Sequence, residues 1–174
     1  MIRLIDGLGQ LGKELKQQSS GVCANRDIFL YHTWNVWCRS HESQEREYKK
    51  FIEFVDTHPD SRIVFISTYS QNNNYYVHFK QLAESYLLAT HKDGLVIRLP
   101  NLVGNKGILR RMKEGGVTPY GRIEFLTLED AAQKIIELSE YSGLVRSFSL
   151  KGEEISAILV NEIVEKLTDS GRGG

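Results

Sequence analysis

The 174 residues, 19.9 kDa in mass, suffice for one domain with its own hydrophobic core and not for two full ones. With 22 Lys and Arg against 22 Asp and Glu, the chain lacks the basic excess of a dedicated binder of nucleic acid or acidic lipid, and neither partner is expected. Its 41% of hydrophobic residues fits a globular protein, and no apolar run reaches the roughly 18 to 20 residues that cross a membrane.

Residues 1–5 (MIRLI) form a short apolar run that predicts a first strand, and 9–18 follow with helical character. Asp6 and Lys13 interrupt this start, so it does not read as a signal peptide. Residues 27–34 are apolar, aromatic and strand-like. From 42 to 57, Tyr48, Phe51, Ile52 and Val55 fall at helical spacing. The β-branched run 62–68 has the pattern of a parallel strand buried on both faces. A helix is predicted over 76–91, a strand over 95–99, and a helix over 128–138 with Thr127 as N-cap and Glu129 and Asp130 in its first turn. A short strand at 148–150, a closing helix over 156–167 and a disordered tail at 171–174 complete the chain. This alternation predicts a single α/β domain over 1–170, with a mostly parallel sheet flanked by helices and its ligand at the carboxyl ends of the strands. Cys23 and Cys38 are too far apart for a Cys-x-x-Cys motif and are expected as reduced thiols in a cytoplasmic protein.

Gly7, Gly9 and Gly12 make a G-x-G-x-x-G turn directly after the first strand and opening a helix. Gly7 permits the tight turn, Gly9 lets backbone approach a pyrophosphate, and Gly12 allows close helix–strand contact. The acidic residue expected some 20 positions on, at the end of a second strand, has no counterpart. Only residues 19–26 separate the first helix from the next strand.

Tyr76 and Lys80 stand at i, i+4 on one helical face, and Thr68 ends the preceding strand. A tyrosine beside an ammonium is a plausible acid/base, because the positive charge favours phenolate and lowers the phenol's pKa. The Thr68 hydroxyl could bond a substrate oxygen that changes between alcohol and ketone. The same spacing also arises on ordinary amphipathic helices. Trp34 and Trp37 either pack a core edge or interface or stack on a base. Asn72, Asn73 and Asn74 form a turn whose side chains bond their own backbone, or line a sugar site. His32, His41, His58, His78 and His91 show no metal-ligand spacing, and His78 is expected at the surface.

Residues 64–70 (VFISTYS), 76–84 (YVHFKQLAE) and 96–104 (VIRLPNLVG) together resemble the extended short-chain dehydrogenase/reductases, the nucleotide-sugar epimerases and dehydratases. Thr68, Tyr76, Lys80, Glu84, Arg98, Pro100, Asn101 and Gly104 match the family's pattern in order. His32 matches its His-x-Ala strand end, where Trp34 departs, and 124–138 resembles a further segment. With the glycine turn, the resemblance covers most of residues 1–140. It implies a Rossmann-like fold, trimmed of its second and third strand region, with a small C-terminal substrate-side lobe over 105–170. It implies NAD or NADP as cofactor and a sugar nucleotide as substrate. Tyr76 would be the acid/base, Lys80 would hold the nicotinamide ribose, and Thr68 would orient the sugar hydroxyl. Gly7, Gly9, Gln10, Leu11, Gly12, His32 and Pro100 would line the cofactor, and Asn101 and Arg110 the substrate. Lys106, Arg110, Arg111 and Lys113 form a basic cluster, either a solvated helix face or a diphosphate site. Two functions follow as expectations: an NAD(P)-dependent epimerase, dehydratase or reductase, or a non-catalytic relative that binds a ligand or partner. The apolar surplus on 42–57 and 76–91, with Phe54 and Leu88 outermost, predicts a homodimer packed through these helices.

Overall fold

The computed structural model describes residues 1–5, 9–21, 26–103 and 121–156. In chain order the elements are β1 (Ile2–Ile5), α1 (Gln10–Ser19), β2 (Ile28–Tyr31), α2 (His41–Thr57), β3 (Arg62–Thr68) and α3 (Tyr75–Thr90). There follow β4 (Gly94–Leu99), β5 (Asn101–Val103), β6 (Arg122–Thr127), α4 (Leu128–Ser139), β7 (Ser147–Ser149) and β8 (Glu153–Ser156). Gly7, Gly104, Lys106, Arg110, Arg111, Lys113, Cys23, residues 157–167 of the predicted closing helix and the tail lie outside the described residues.

A wholly parallel sheet runs in the order β1-β2-β3-β4-β7. Alternation along single strands makes it two-sided. Val64, Ile66, Leu95 and Ile97 face one way, against Leu15 of α1 and Ala131, Ala132 and Ile135 of α4. Ile63, Phe65 and Val96 face the other way, against Phe51 and Val55 of α2 and Phe79, Ala83 and Leu87 of α3. Within 62–68, residues Ile63 to Ile66 are therefore all apolar because neither face there meets water.

Each long helix starts at a side-chain cap. Ser40 Oγ accepts from the Ser43 amide at 3.3 Å, Asn74 Oδ1 from Val77 at 3.0 Å, and Thr127 Oγ1 from Asp130 at 3.0 Å. Asn74 thus sets the first turn of the helix that carries Tyr76 and Lys80. Arg62, buried at the start of β3, closes the far end of α4. Its Nε and Nη2 donate to the carbonyls of Ser139 and Tyr141, both at 2.5 Å, while Nη1 meets Asp93 Oδ1.

The structure departs from the sequence reading in three places. The strand predicted over 27–34 ends at Tyr31, so His32, Thr33 and Trp34 begin the loop into α2. A second sheet, β5-β6-β8, pairs Asn101 with Phe125 in parallel and Ile123 with Ile155 antiparallel. Ser156, read as the first residue of the closing helix, is a strand residue, the last of β8. Among the described residues of the segment 105–170, α4 packs on the main sheet and β7 joins it, while β6 and β8 join β5.

The helices α2 and α3 take up part of their apolar surface within the chain. Phe54 and Leu88 are half-buried, not outermost, and the Phe54 ring packs on Phe29, Tyr31 and His58. Tyr48 meets Phe79, and the Tyr86 hydroxyl donates to Asp56, so α2 and α3 cover each other. Part of the apolar surplus that suggested a dimer is thus covered within the chain, while Leu82 stays exposed.

Candidate active site

The carboxyl ends of β2, β3 and β4 open into a pocket of about 750 Å³. Thr68, Tyr76, Lys80, His32, Pro100 and Asn101 all line it, with Leu11 reaching in from α1. Four separate elements and the loops after them thus bring these predicted residues to one cavity, as parallel α/β packing requires. Gly9, Gln10 and Gly12 do not line it. Gly9 is the N-cap of α1, and Gly12 is buried within that helix.

Thr68 Oγ1 accepts from the Ser70 amide at 3.2 Å, which fixes the hydroxyl at the strand end. Its neighbour Tyr69 donates to Glu124, whose other carboxylate oxygen accepts from the Gly152 amide at 2.6 Å. The second sheet is thereby tied to the residue next to Thr68. Asn101 Nδ2 donates to the Glu124 carbonyl at 3.3 Å, adding a second tie. Ser67 Oγ, buried in the wall, has no hydrogen-bond partner among the described residues.

Lys80 is buried at 4% exposure. Its Nζ donates to the Ile66 carbonyl at 2.6 Å and lies 4.9 Å from the Trp34 ring centre and 4.7 Å from that of Phe65. The Tyr76 ring centre is farther, at 5.9 Å. Burial brings the Lys80 pKa down from 10.5 to about 7, against the pull of Glu84 and Glu47. Tyr76, partly buried, is pushed up by desolvation, and only the Arg39 guanidinium, 5.4 Å from its ring centre, opposes this. The expectation that an adjacent ammonium would bring the phenol toward neutral pH is therefore corrected. The ammonium is drawn into an aromatic box, and burial dominates the tyrosine.

This placement has a consequence for stability. The folded protein holds Lys80 neutral above about pH 7, whereas the unfolded chain keeps it charged up to 10.5. Folding then releases a proton in that window, so stability rises with pH at up to about 1.4 kcal/mol per unit from this group. Lys80→Met should flatten that rise between pH 7 and 10 in urea melts. An unchanged slope would show that Lys80 stays charged in the folded protein.

Sequence reasoning missed several residues that build the site. Trp34 and Phe65 hold the lysine, and Arg39 lies over Tyr76. Glu84 Oε2, four residues beyond Lys80, accepts from Arg98 Nε at 2.9 Å and Nη2 at 2.6 Å. Gln44 is fully buried and bonds Trp34 Nε1 at 2.7 Å. One signal was available: Gln44 falls on the same helical stripe as Tyr48, Phe51 and Val55, where a polar residue needs buried partners.

A dinucleotide fits this frame on one side. Ser67, Thr68, Tyr76, Lys80 and Pro100 supply polar and apolar walls at the strand ends, where a nicotinamide riboside would sit. Gly9 leaves its helix start uncapped by any side chain, and a Cβ there would meet nothing within 4 Å, the clearance a pyrophosphate needs. On the other side, β1 is the sheet edge, and no described strand lies beyond it. Among the described residues, therefore, no reversal of strand order frames a crevice for adenosine there.

No family model matches the chain, and no curated protein matches its sequence. Solved structures do match its fold. A dTDP-4-dehydrorhamnose reductase from Clostridium acetobutylicum superposes with a TM-score of 0.75 at 15% identity, over 97% of this chain and 80% of that one. A dTDP-glucose 4,6-dehydratase from Bacillus anthracis in complex with NAD gives 0.65 at 13% identity, over 97% and 81%. A monomeric L-threonine 3-dehydrogenase from a metagenome gives 0.59 at 14%, over 98% and 82%. The chain thus has the Rossmann-like fold of these reductases, dehydratases and dehydrogenases.

Proposed function

We propose that the pocket is the active site of an NAD(P)-dependent epimerase, dehydratase or reductase acting on a nucleotide sugar. The observation that carries this reading is the convergence of Thr68, Tyr76, Lys80, Pro100 and Asn101 on one cavity. Two solved structures of the same fold, named above, are enzymes of dTDP-sugars, and one of them holds NAD. A bound nicotinamide would supply the hydride donor or acceptor. The chain's own part is to orient a sugar hydroxyl at Thr68 and to move its proton through the Tyr76 oxygen. Lys80 and Pro100 hold the nicotinamide side, and Asn101 faces the substrate. The unpaired Ser67 hydroxyl offers one further polar contact in the wall. An enzyme of this kind, without a membrane-spanning helix among the described residues, is read as working in the cytoplasm.

A second reading is a non-catalytic relative that keeps the pocket for binding alone. The placement of the Lys80 amine at Ile66 O and the Trp34 and Phe65 rings favours it, since that amine lies closer to these groups than to the Tyr76 ring centre. Titration with NAD, NADH, NADP and NADPH, followed by calorimetry, separates the two. The enzyme reading expects binding of at least one form in the micromolar range. Failure of all four at millimolar concentration would leave the binding module.

A further inference from the structure

Trp37 is 70% exposed at the mouth of the pocket, an uncommon position for the largest apolar side chain. It is not on a loose loop. The Asn35 side chain caps the backbone under it, Oδ1 accepting from the Trp37 amide at 3.0 Å and the Cys38 amide at 3.1 Å. Asn35 Nδ2 in turn donates to Ser43 Oγ at 3.3 Å. The buried Gln44 amide donates to the carbonyls of Asn35 and Cys38 at 2.7 and 2.6 Å. Together these bonds fix the backbone on both sides of Trp37, so the indole is presented from a rigid platform. Arg39, two residues on, lines the same pocket and takes part in no ion pair among the described residues. A planar, exposed π-face and a guanidinium without an ion-pair partner among the described residues, at one pocket mouth, are complementary to an aromatic base carrying a phosphate.

We propose that Trp37 and Arg39 are the nucleotide-receiving arm of this site, the indole stacking on the base and the guanidinium pairing with its phosphate. The proposal rests on the nucleotide-sugar reading above and names the part of the ligand that the loop after β2 would hold. The base has two possible sources, the adenylate of the cofactor or the nucleoside diphosphate of the substrate. For the first, no described strand beyond β1 frames a crevice, so a base at the pocket mouth would take its place. Stacking one base on an exposed indole changes affinity by about tenfold or more.

Calorimetric titration of the full chain with UMP, AMP and ribose 5-phosphate tests this. Trp37→Ala, whose thermal midpoint should stay unchanged because the side chain is exposed, is expected to weaken one or both nucleotides about tenfold. Ribose 5-phosphate, which has no base, should bind it as it binds the wild type. Arg39→Gln is expected to weaken all three probes. A loss confined to AMP assigns the arm to the cofactor, and a loss confined to UMP assigns it to the substrate; either supports the proposal. Wild-type affinity for both nucleotides in Trp37→Ala overturns it, as does an equal loss for ribose 5-phosphate. In both of those cases NAD(P) binding by the wild type would leave the enzyme reading standing, whereas its absence would remove that reading separately.

Discussion

Replacing Glu84 by alanine is expected to destabilise the protein by about 3 kcal/mol, the lower end of what breaking a buried ion pair costs. Glu84 is buried on α3, and its Oε2 takes two of the Arg98 donors on β4, while Arg98 Nη1 reaches Ser147 Oγ on β7 at 2.8 Å. Truncation leaves the guanidinium with the serine alone. Because the Arg98 side chain is about one-third exposed, water recovers part of the loss. The site is affected as well. Glu84 has the larger effect of two carboxylates that hold up the Lys80 pKa, so its removal pushes the buried amine further toward neutrality. A fall in the urea midpoint with an unchanged m-value measures the effect. A loss below about 1 kcal/mol would place the pair among solvent-screened surface bridges.

The largest functional effect is expected at Tyr76. On the enzyme reading, Tyr76→Phe removes one oxygen and should lower turnover about 10²- to 10⁴-fold, the usual worth of a positioned proton carrier. The fold and NAD(P) affinity should change little, since the ring and its contact with Arg39 remain. Burial holds the phenol above its ordinary pKa, so at neutral pH it is a proton donor. The wild-type rate should then rise with pH in the direction that needs phenolate as base, and stay flat where the phenol donates. Equal losses of stability, cofactor binding and turnover would mark Tyr76 as a packing residue instead.

Much of the fold was legible because burial leaves a periodic trace. The run Ile63–Ile66 could only be a strand sandwiched between two helix layers, and the Ser, Asn and Thr caps sit where helices must begin. The second sheet left little trace. β5 has three residues after Pro100, β6 runs into α4 through the shared Thr127 with no turn between them, and β8 is Glu-Glu-Ile-Ser. Sheets this short depend on pairing with distant segments, which no local pattern encodes. At the site, helical spacing correctly placed Tyr76 and Lys80 on one face. It could not show that Trp34 and Phe65, from two other strands' ends and interiors, would capture the amine. Electrostatic environment is a property of what converges, and convergence is tertiary.

Arg62 imposes an order in time. The last carbonyl of α4, that of Ser139, finds its donor in a guanidinium that sits 77 residues earlier in sequence, at the start of β3. A helix's last carbonyls have no partner of their own. Until β3 is paired and Arg62 is in place, that end can be completed only by water, which the finished protein excludes. α4 can therefore form early as a fluctuating helix but can lock down only after the centre of the sheet exists, making its docking a late, long-range closure step in folding.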